Sequence, residues 1–308
     1  MKVLIVGLGA IAAKHIASLR GLDPDVEIYA LRSGKTNRKV DGVTDVASLD
    51  MLPTPPDFAI ISNPTSLHAD AIAKVLSLGC PLFIEKPVFG ATDHDDLVSK
   101  IAETGVPTYV ACNLRFLECI VFLKRYLTEN PGRRINEVNV YCGSYLPDWH
   151  KDTDFRKSYN ALPELGGGVH IDLIHEIDYV CWLFGFPDSS TGVCRNVSSL
   201  AIEAFDYANY VLNYPGFSAS VILNYYRRDR KRFIEIVFED ETWTADLIKN
   251  TVVSSTGETV YSSPRGIADT YPAQMAYFID ALKDGRKFDN DAANAYRTLK
   301  ISLDYEKS

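Results

Sequence analysis

The run Val3-Leu4-Ile5-Val6 breaks directly into Gly7-Leu8-Gly9-Ala10-Ile11-Ala12, after which the apolar residues recur with helical spacing. A short, uninterrupted apolar run reads as a strand buried on both faces of a parallel sheet. The Gly-x-Gly-x-x-Ala turn lets backbone approach a pyrophosphate, and the following helix offers unpaired N–H groups and the positive end of its dipole. Gly7, Gly9, Ala10, Ile11 and Ala12 are therefore the expected dinucleotide-binding residues. Glycines after a first strand also serve plain close packing. The strand before and the helix after favour binding.

The same alternation continues. Strands are expected at 3–6, 27–31, 58–62, 82–85 and 108–111, with helices at 11–22, 67–78 and 93–103. Right-handed crossovers turn that order into an α/β, doubly wound parallel sheet of Rossmann type. After Asn113 the texture changes to one helix at 117–128 and longer alternating strands at 136–145, 207–214, 218–226 and 232–239. This pattern predicts an α+β domain with a large, mostly antiparallel, open sheet. A chain of 308 residues exceeds one ordinary core, so the expected division is 1–112 and 113–308. The helical tail, 273–282 and 292–306, is free to pack back on the first domain.

A net charge of −8 argues against nucleic acid and anionic membranes as partners, and no apolar stretch is long enough to span a bilayer. A small molecule is the expected partner. The six cysteines form no Cys-x-x-Cys pair, which fits reduced thiols in a cytoplasm. Lys2 followed by apolar residues imitates a secretory leader, but its removal would delete the first strand.

Two further places carry chemistry. Where dinucleotide folds place a carboxylate for the adenosine 2′-hydroxyl, this chain reads Ala30-Leu31-Arg32-Ser33-Gly34-Lys35. The Arg32 guanidinium and Ser33 hydroxyl suit a 2′-phosphate, so NADP(H) is expected ahead of NAD(H). Downstream, Pro81-Leu82-Phe83-Ile84 ends in Glu85-Lys86-Pro87, a buried strand that delivers a lysine to its carboxyl end.

These residues resemble the Gfo/Idh/MocA oxidoreductase family, over nearly the whole chain. The likeness rests on the glycine turn, Ser62-Asn63-Pro64-Thr65-Ser66-Leu67-His68, Glu85-Lys86-Pro87, and Asn113-Leu114-Arg115-Phe116. It continues in Gly166-Gly167-Gly168 leading to Asp172 and His175, and in Trp182-Leu183-Phe184-Gly185. The resemblance implies a cis peptide before Pro87 and a coenzyme lined by Asn63, Thr65, His68, Glu85, Lys86, Pro87 and Asn113. It implies Lys86, Asp172 and His175 as catalytic residues, and a homo-oligomer, dimer or tetramer, through the second-domain sheet. Many members space the aspartate and histidine four apart. Here they are three apart, which on one helix still leaves them on one face.

Hydride transfer from a carbinol needs a base for its proton and a cation near its oxygen. Lys86 and His175 fit those roles, with Asp172 orienting the imidazole or binding a substrate hydroxyl. Arg115, Trp149, Arg156 and Tyr159, with Asp172 and His175, suit a sugar carrying a carboxylate or phosphate. Segment 145–185 looks like members found with bacterial surface-glycan pathways. His170, Asp172, His175 and Glu176 resemble a metal cluster, but His170 and His175 are five apart and share no helical face, so no metal is expected. The expected activity is an NADP(H)-dependent sugar oxidoreductase acting on CH–OH. The alternatives are a nucleotide-sensing protein that has lost turnover and a reductase of a non-sugar substrate.

Overall fold

A computed structural model describes residues 1–32, 39–149 and 153–306. The chain divides into two compact units, Met1–Cys112 with Tyr271–Leu299, and Asn113–Thr270 with Lys300–Ser308. Most of the helical tail thus groups with the first unit, where the sequence division ran the second domain from 113 to the end.

The first unit is a six-stranded, all-parallel sheet of β1 (Lys2–Val6), β2 (Glu27–Leu31), β3 (Val43–Val46), β4 (Phe58–Ile61), β5 (Leu82–Glu85) and β6 (Thr108–Ala111). The strand order is β3-β2-β1-β4-β5-β6, so the winding reverses between β1 and β4. In such sheets ligands sit at the carboxyl ends of the strands at that reversal, which is where the glycine turn leaves β1. Strands β4, β5 and β6 are buried at every residue, as their continuous apolar runs require.

Helices α1 (Ala10–Leu22), α2 (His68–Val75) and α3 (Asp95–Thr104) lie in the first unit; α4 (Glu118–Glu129), α5 (Val169–Asp172) and α6 (His175–Phe184) lie in the second. The tail is α7 (Thr270–Lys283) and α8 (Ala292–Leu303). Phe278 of α7 packs edge-on against Phe58 and Phe83, with ring centroids 5.1 and 5.2 Å away. Burying each such ring stabilises by about 1.5–3 kcal/mol, which explains why this helix belongs to the nucleotide-type unit.

The second unit is an eight-stranded sheet of β7 (Ile135–Tyr145), β8 (Ser189–Arg195), β9 (Tyr207–Asn213), β10 (Ser218–Asn224), β11 (Tyr226–Phe238), β12 (Thr242–Asp246), β13 (Thr251–Ser254) and β14 (Thr259–Ser262). Its order is β14-β13-β12-β11-β7-β10-β9-β8, with only the β7–β10 pair parallel. Burial alternates along β9, the second half of β11 and β12, so one face carries the core residues Val140, Leu212, Val221, Ile234 and Ile236. The other face is half-exposed, with Tyr141 and Phe233 stacked at 5.8 Å.

All six cysteines are buried thiols. Burial pushes Cys80 and Cys194 up to about 11, and Cys119 and Cys142 up to about 12, which leaves them chemically inert. Among the described residues, no helix is long and apolar enough to cross a membrane.

Candidate active site

In the first unit the two turn glycines have different jobs. Gly7 has φ +92°, and a Cβ there would lie 2.6 Å from the Cα and N of Asn63. Only glycine satisfies both demands. Gly9 caps α1 with an ordinary φ of −76° and makes no side-chain cap bond. A Cβ on Gly9 would meet nothing within 4 Å. The protein itself therefore needs no glycine at position 9. What the missing side chain provides is open space above the first turn of α1, where N–H groups have no intrahelical partner. Ala12, one turn on, is buried and allows α1 to lie close on the sheet.

The loop after β4 wraps this turn. Ser62 donates to the carbonyl of Gly7 at 2.9 Å, and Asn63 donates its Nδ2 to the Leu67 carbonyl at 3.0 Å. The Oδ1 of Asn63 is buried without a partner among the described residues. Thr65 is buried at the start of the next helical turn. His68, expected to line the coenzyme, is instead 1% exposed. Its Nδ1 lies 2.9 Å from the Pro87 carbonyl and its Nε2 3.0 Å from that of Asn63. Burial lowers its pKa. His68 is a brace that ties the loop after β4 to the loop after β5.

Lys86 leaves β5 half-exposed, and the Lys86–Pro87 peptide is cis, as the resemblance implies. Glu85 differs from expectation: its carboxylate is turned inward, with Oε1 2.6 Å from Nε2 of His15 on α1. Its other oxygen accepts from the Lys86 backbone N–H at 3.2 Å. His15 is a residue the sequence reading missed; its signal was a histidine at a buried position of the helix that follows the glycine turn. At the end of β2, Arg32 lies 3.8 Å from Asp45 of β3. Ser33 lies outside the described residues. A carboxylate thus stands beside Arg32 after all, contributed by a strand that the sequence pattern did not reveal.

In the second unit, Asp172 and His175 are not on one helix, which corrects the spacing argument. Helix α5 ends at Asp172, and α6 begins at His175. The link tightens to three-residue hydrogen bonds, Ile174 N–H to Ile171 and Glu176 N–H to Leu173, which resets the rotation of the chain. Asp172 is buried and accepts from Asn160 at 2.5 Å and from the Tyr225 hydroxyl. Both partners escaped the sequence reading. The glycine triplet explains how Asn160 arrives: a Cβ on Gly167 would lie 2.1 Å from the Tyr159 carbonyl, so the 159–160 loop can close on α5 only over glycine. Trp149 is 42% exposed and meets the Tyr225 ring edge-on at 5.6 Å. Asn160, Asp172, Tyr225 and Trp149 form one connected cluster.

Three other expected residues are engaged elsewhere. Arg115 is buried and donates from Nε and Nη2 to Asp178 at 2.9 and 2.8 Å, so it is a structural ion pair rather than a substrate fork. Arg156 is exposed and lies over the Phe155 ring at 4.6 Å. Asn113 is buried, its amide donating to Thr270 at 2.7 Å. Of the four residues whose types suit a metal but whose spacing argued against one, Glu176 receives Arg232 at 2.6 and 3.0 Å. His170 sits against Phe205 and Tyr305. Among the described residues, no group of three or more His, Cys, Asp or Glu is arranged to hold a metal.

Two family models match the chain: residues 1–112 match an oxidoreductase family with an NAD-binding Rossmann fold, and residues 132–244 match the C-terminal domain of the same family. The chain belongs to the Gfo/Idh/MocA oxidoreductase family. Among curated Gfo/Idh/MocA relatives, a 2,7-anhydro-N-acetylneuraminate hydratase of Mediterraneibacter gnavus is 27% identical over 148 residues, 47% of this chain and 38% of the relative. A scyllo-inositol 2-dehydrogenase (NAD+) of Bacillus subtilis is 28% identical over 166 residues, 53% of this chain and 46% of the relative. The matched region spans less than half the length of both relatives. Among solved structures, a levoglucosan dehydrogenase in complex with NADH superimposes with a TM-score of 0.84 at 16% identity, over 98% of this chain and 95% of that one. At that identity the likeness is one of fold.

Proposed function

We propose that the chain is an NADP(H)-dependent oxidoreductase that moves a hydride between nicotinamide and a hydroxyl or keto carbon of a sugar or sugar derivative. The observation that carries this is Gly9, a glycine needed neither for backbone conformation nor for packing, at an uncapped helix start beside the sheet's winding reversal. The open space there fits a pyrophosphate, and the buried, unpartnered Asn63 Oδ1 nearby fits a polar group of the same ligand. The first-turn N–H groups of Gly9, Ala10 and Ile11 hold the phosphates, with Thr65 and Pro87 shaping the site. The relatives named as an inositol dehydrogenase and a sialic-acid-derivative hydratase support a polyol or sugar as substrate.

When bound, nicotinamide accepts or supplies the hydride. The chain's own groups handle charge and proton. The Lys86 ammonium stabilises the alkoxide that develops as the hydrogen leaves carbon, and His175 takes the hydroxyl proton. Asp172, fixed by Asn160 and Tyr225, binds a substrate hydroxyl or orients His175. Trp149 packs on the sugar. Arg32 meets the 2′-phosphate, helped by Ser33, and Asp45 competes for the same guanidinium, so the preference for NADP(H) is a graded one. A ratio of kcat/KM for NADPH over NADH above about tenfold supports that part; a ratio favouring NADH overturns it.

The half-exposed sheet face that carries Tyr141 and Phe233 is the proposed oligomer surface, because an open sheet needs covering. Sedimentation showing a dimer or tetramer supports it, and a monomer at micromolar concentration contradicts it. The inert buried thiols fit a cytoplasmic setting, and surface-glycan metabolism is the proposed context.

A further inference from the structure

Although the chain carries a net charge of −8, residues 227–232 read Arg-Arg-Asp-Arg-Lys-Arg. These residues are brought around a cavity. Pairing of β11 with β7 jumps from Tyr226 opposite Tyr145 to Lys231 opposite Gly143, so four residues of β11 bulge against one of β7. Bulges re-aim side chains and gather next to sites. Here the bulge borders a cavity of about 340 Å³ lined by Tyr145, Asp148, Trp149, Arg228, Arg230 and Lys231.

The charges at this cavity do not balance. Arg232 is neutralised by Glu176 and Arg227 by Asp229. Arg228 lies 4.1 Å over the Tyr145 ring and donates to its hydroxyl at 3.0 Å. Among the described residues, no carboxylate is paired with Arg228, Arg230 or Lys231, and Asp148 is the single acid in the lining. Like charges crowded on one strand repel and destabilise it. An anion in the cavity relieves that repulsion, and guanidinium groups match the oxygens of carboxylate and phosphate. The exposed indole of Trp149 at the rim offers an apolar face suited to a sugar ring.

We infer that this cavity binds the anionic group of an acidic saccharide, a sugar carboxylate or sugar phosphate, with Arg230 and Lys231 neutralising it and Trp149 against the ring. The saccharide part rests on the sugar reading above, so the test leaves coenzyme out and stands whether or not hydride is transferred. Calorimetric titration of the full chain uses glucuronate, galacturonate, glucose 1-phosphate and UDP-N-acetylglucosamine, against glucose and inorganic phosphate. The expected result is that at least one anionic saccharide binds about tenfold or more tighter than both controls. Arg230→Gln with Lys231→Gln should erase that margin without lowering the melting temperature, both side chains being exposed. The inference is overturned if no anionic saccharide binds, if glucose or phosphate binds as well, or if the double variant binds unchanged while folded.

Discussion

The Nε2 atom of His15 on α1 lies 2.6 Å from Oε1 of Glu85 at the end of β5, and both groups are buried. The Nδ1 of His15 has no partner among the described residues, so the ring's N–H belongs on Nε2, donated to the carboxylate. One bond therefore joins the helix that opens at Gly9 to the residue that precedes Lys86. Removing the imidazole leaves a carboxylate oxygen buried and unpaired, a loss of about 1–3 kcal/mol. His15→Ala should unfold earlier in urea by that amount. A double-mutant cycle with Glu85→Gln should show coupling of about 1 kcal/mol or more; strict additivity would show that the pair is not an energetic unit.

Gly7 and Gly9 should respond oppositely to alanine. Gly7→Ala forces a positive φ on a Cβ that collides with Asn63, and a loss of roughly 2 kcal/mol or more is expected from strain and overpacking. Gly9→Ala has neither problem and should melt as the wild type does. Circular dichroism melts of the two variants decide this, and equal destabilisation would show that the turn has been misassigned.

Arg115→Ala should act on stability rather than on substrate selection. It strands Asp178, 2% exposed, without its two-pronged partner, and breaking a buried pair from one side costs about 3–5 kcal/mol. A folded Arg115→Ala protein with an altered sugar preference would return this arginine to the substrate site.

Acid should weaken the second unit through His170. Burial holds its pKa at about 4 in the folded protein, against an ordinary value of about 6.5. Between those values the unfolded chain takes a proton that the folded chain refuses. The contribution is therefore complete above about pH 6.5 and is lost as pH falls toward 4, amounting to about 3 kcal/mol. Urea unfolding at pH 7 and pH 4.5 should show the drop. His170→Phe, which keeps a ring against Phe205 and Tyr305, should flatten it; an unchanged slope would clear His170.

How far the sequence was readable follows from burial. Strands β2, β5 and β6 were placed to the residue because each is a short, bounded β-rich run in a parallel sheet. The missed strands β3, β8 and β14 are edge strands with polar, exposed residues, and β12 and β13, five and four residues long, are too short for their alternation to stand out. Missing β3 also hid Asp45, and with it the partner of Arg32. Residues 227–231 of β11 fall between the expected strands 218–226 and 232–239, because a run of cations does not alternate. Of the residues proposed for the site, Gly9, Lys86 and Asp172 stand at motif positions that the sequence alone displays. His15, Asn160 and Tyr225 were not, because their partners lie 70, 12 and 53 residues away in the chain. His68 and Asn113 carry polar side chains like those of coenzyme contacts, and only their burial shows that they brace the loops instead.

The most direct measurement is a titration of NADPH and NADH into the purified protein and into Gly9→Val, followed by quenching of tryptophan fluorescence or by calorimetry. The wild type should bind at least one coenzyme with a Kd near or below about 10–100 μM, and a valine that fills the space above the first turn of α1 should weaken binding by about tenfold or more while the melting temperature holds. Equal binding by the two proteins, or no binding of either coenzyme by the wild type, would contradict a coenzyme lying across that turn.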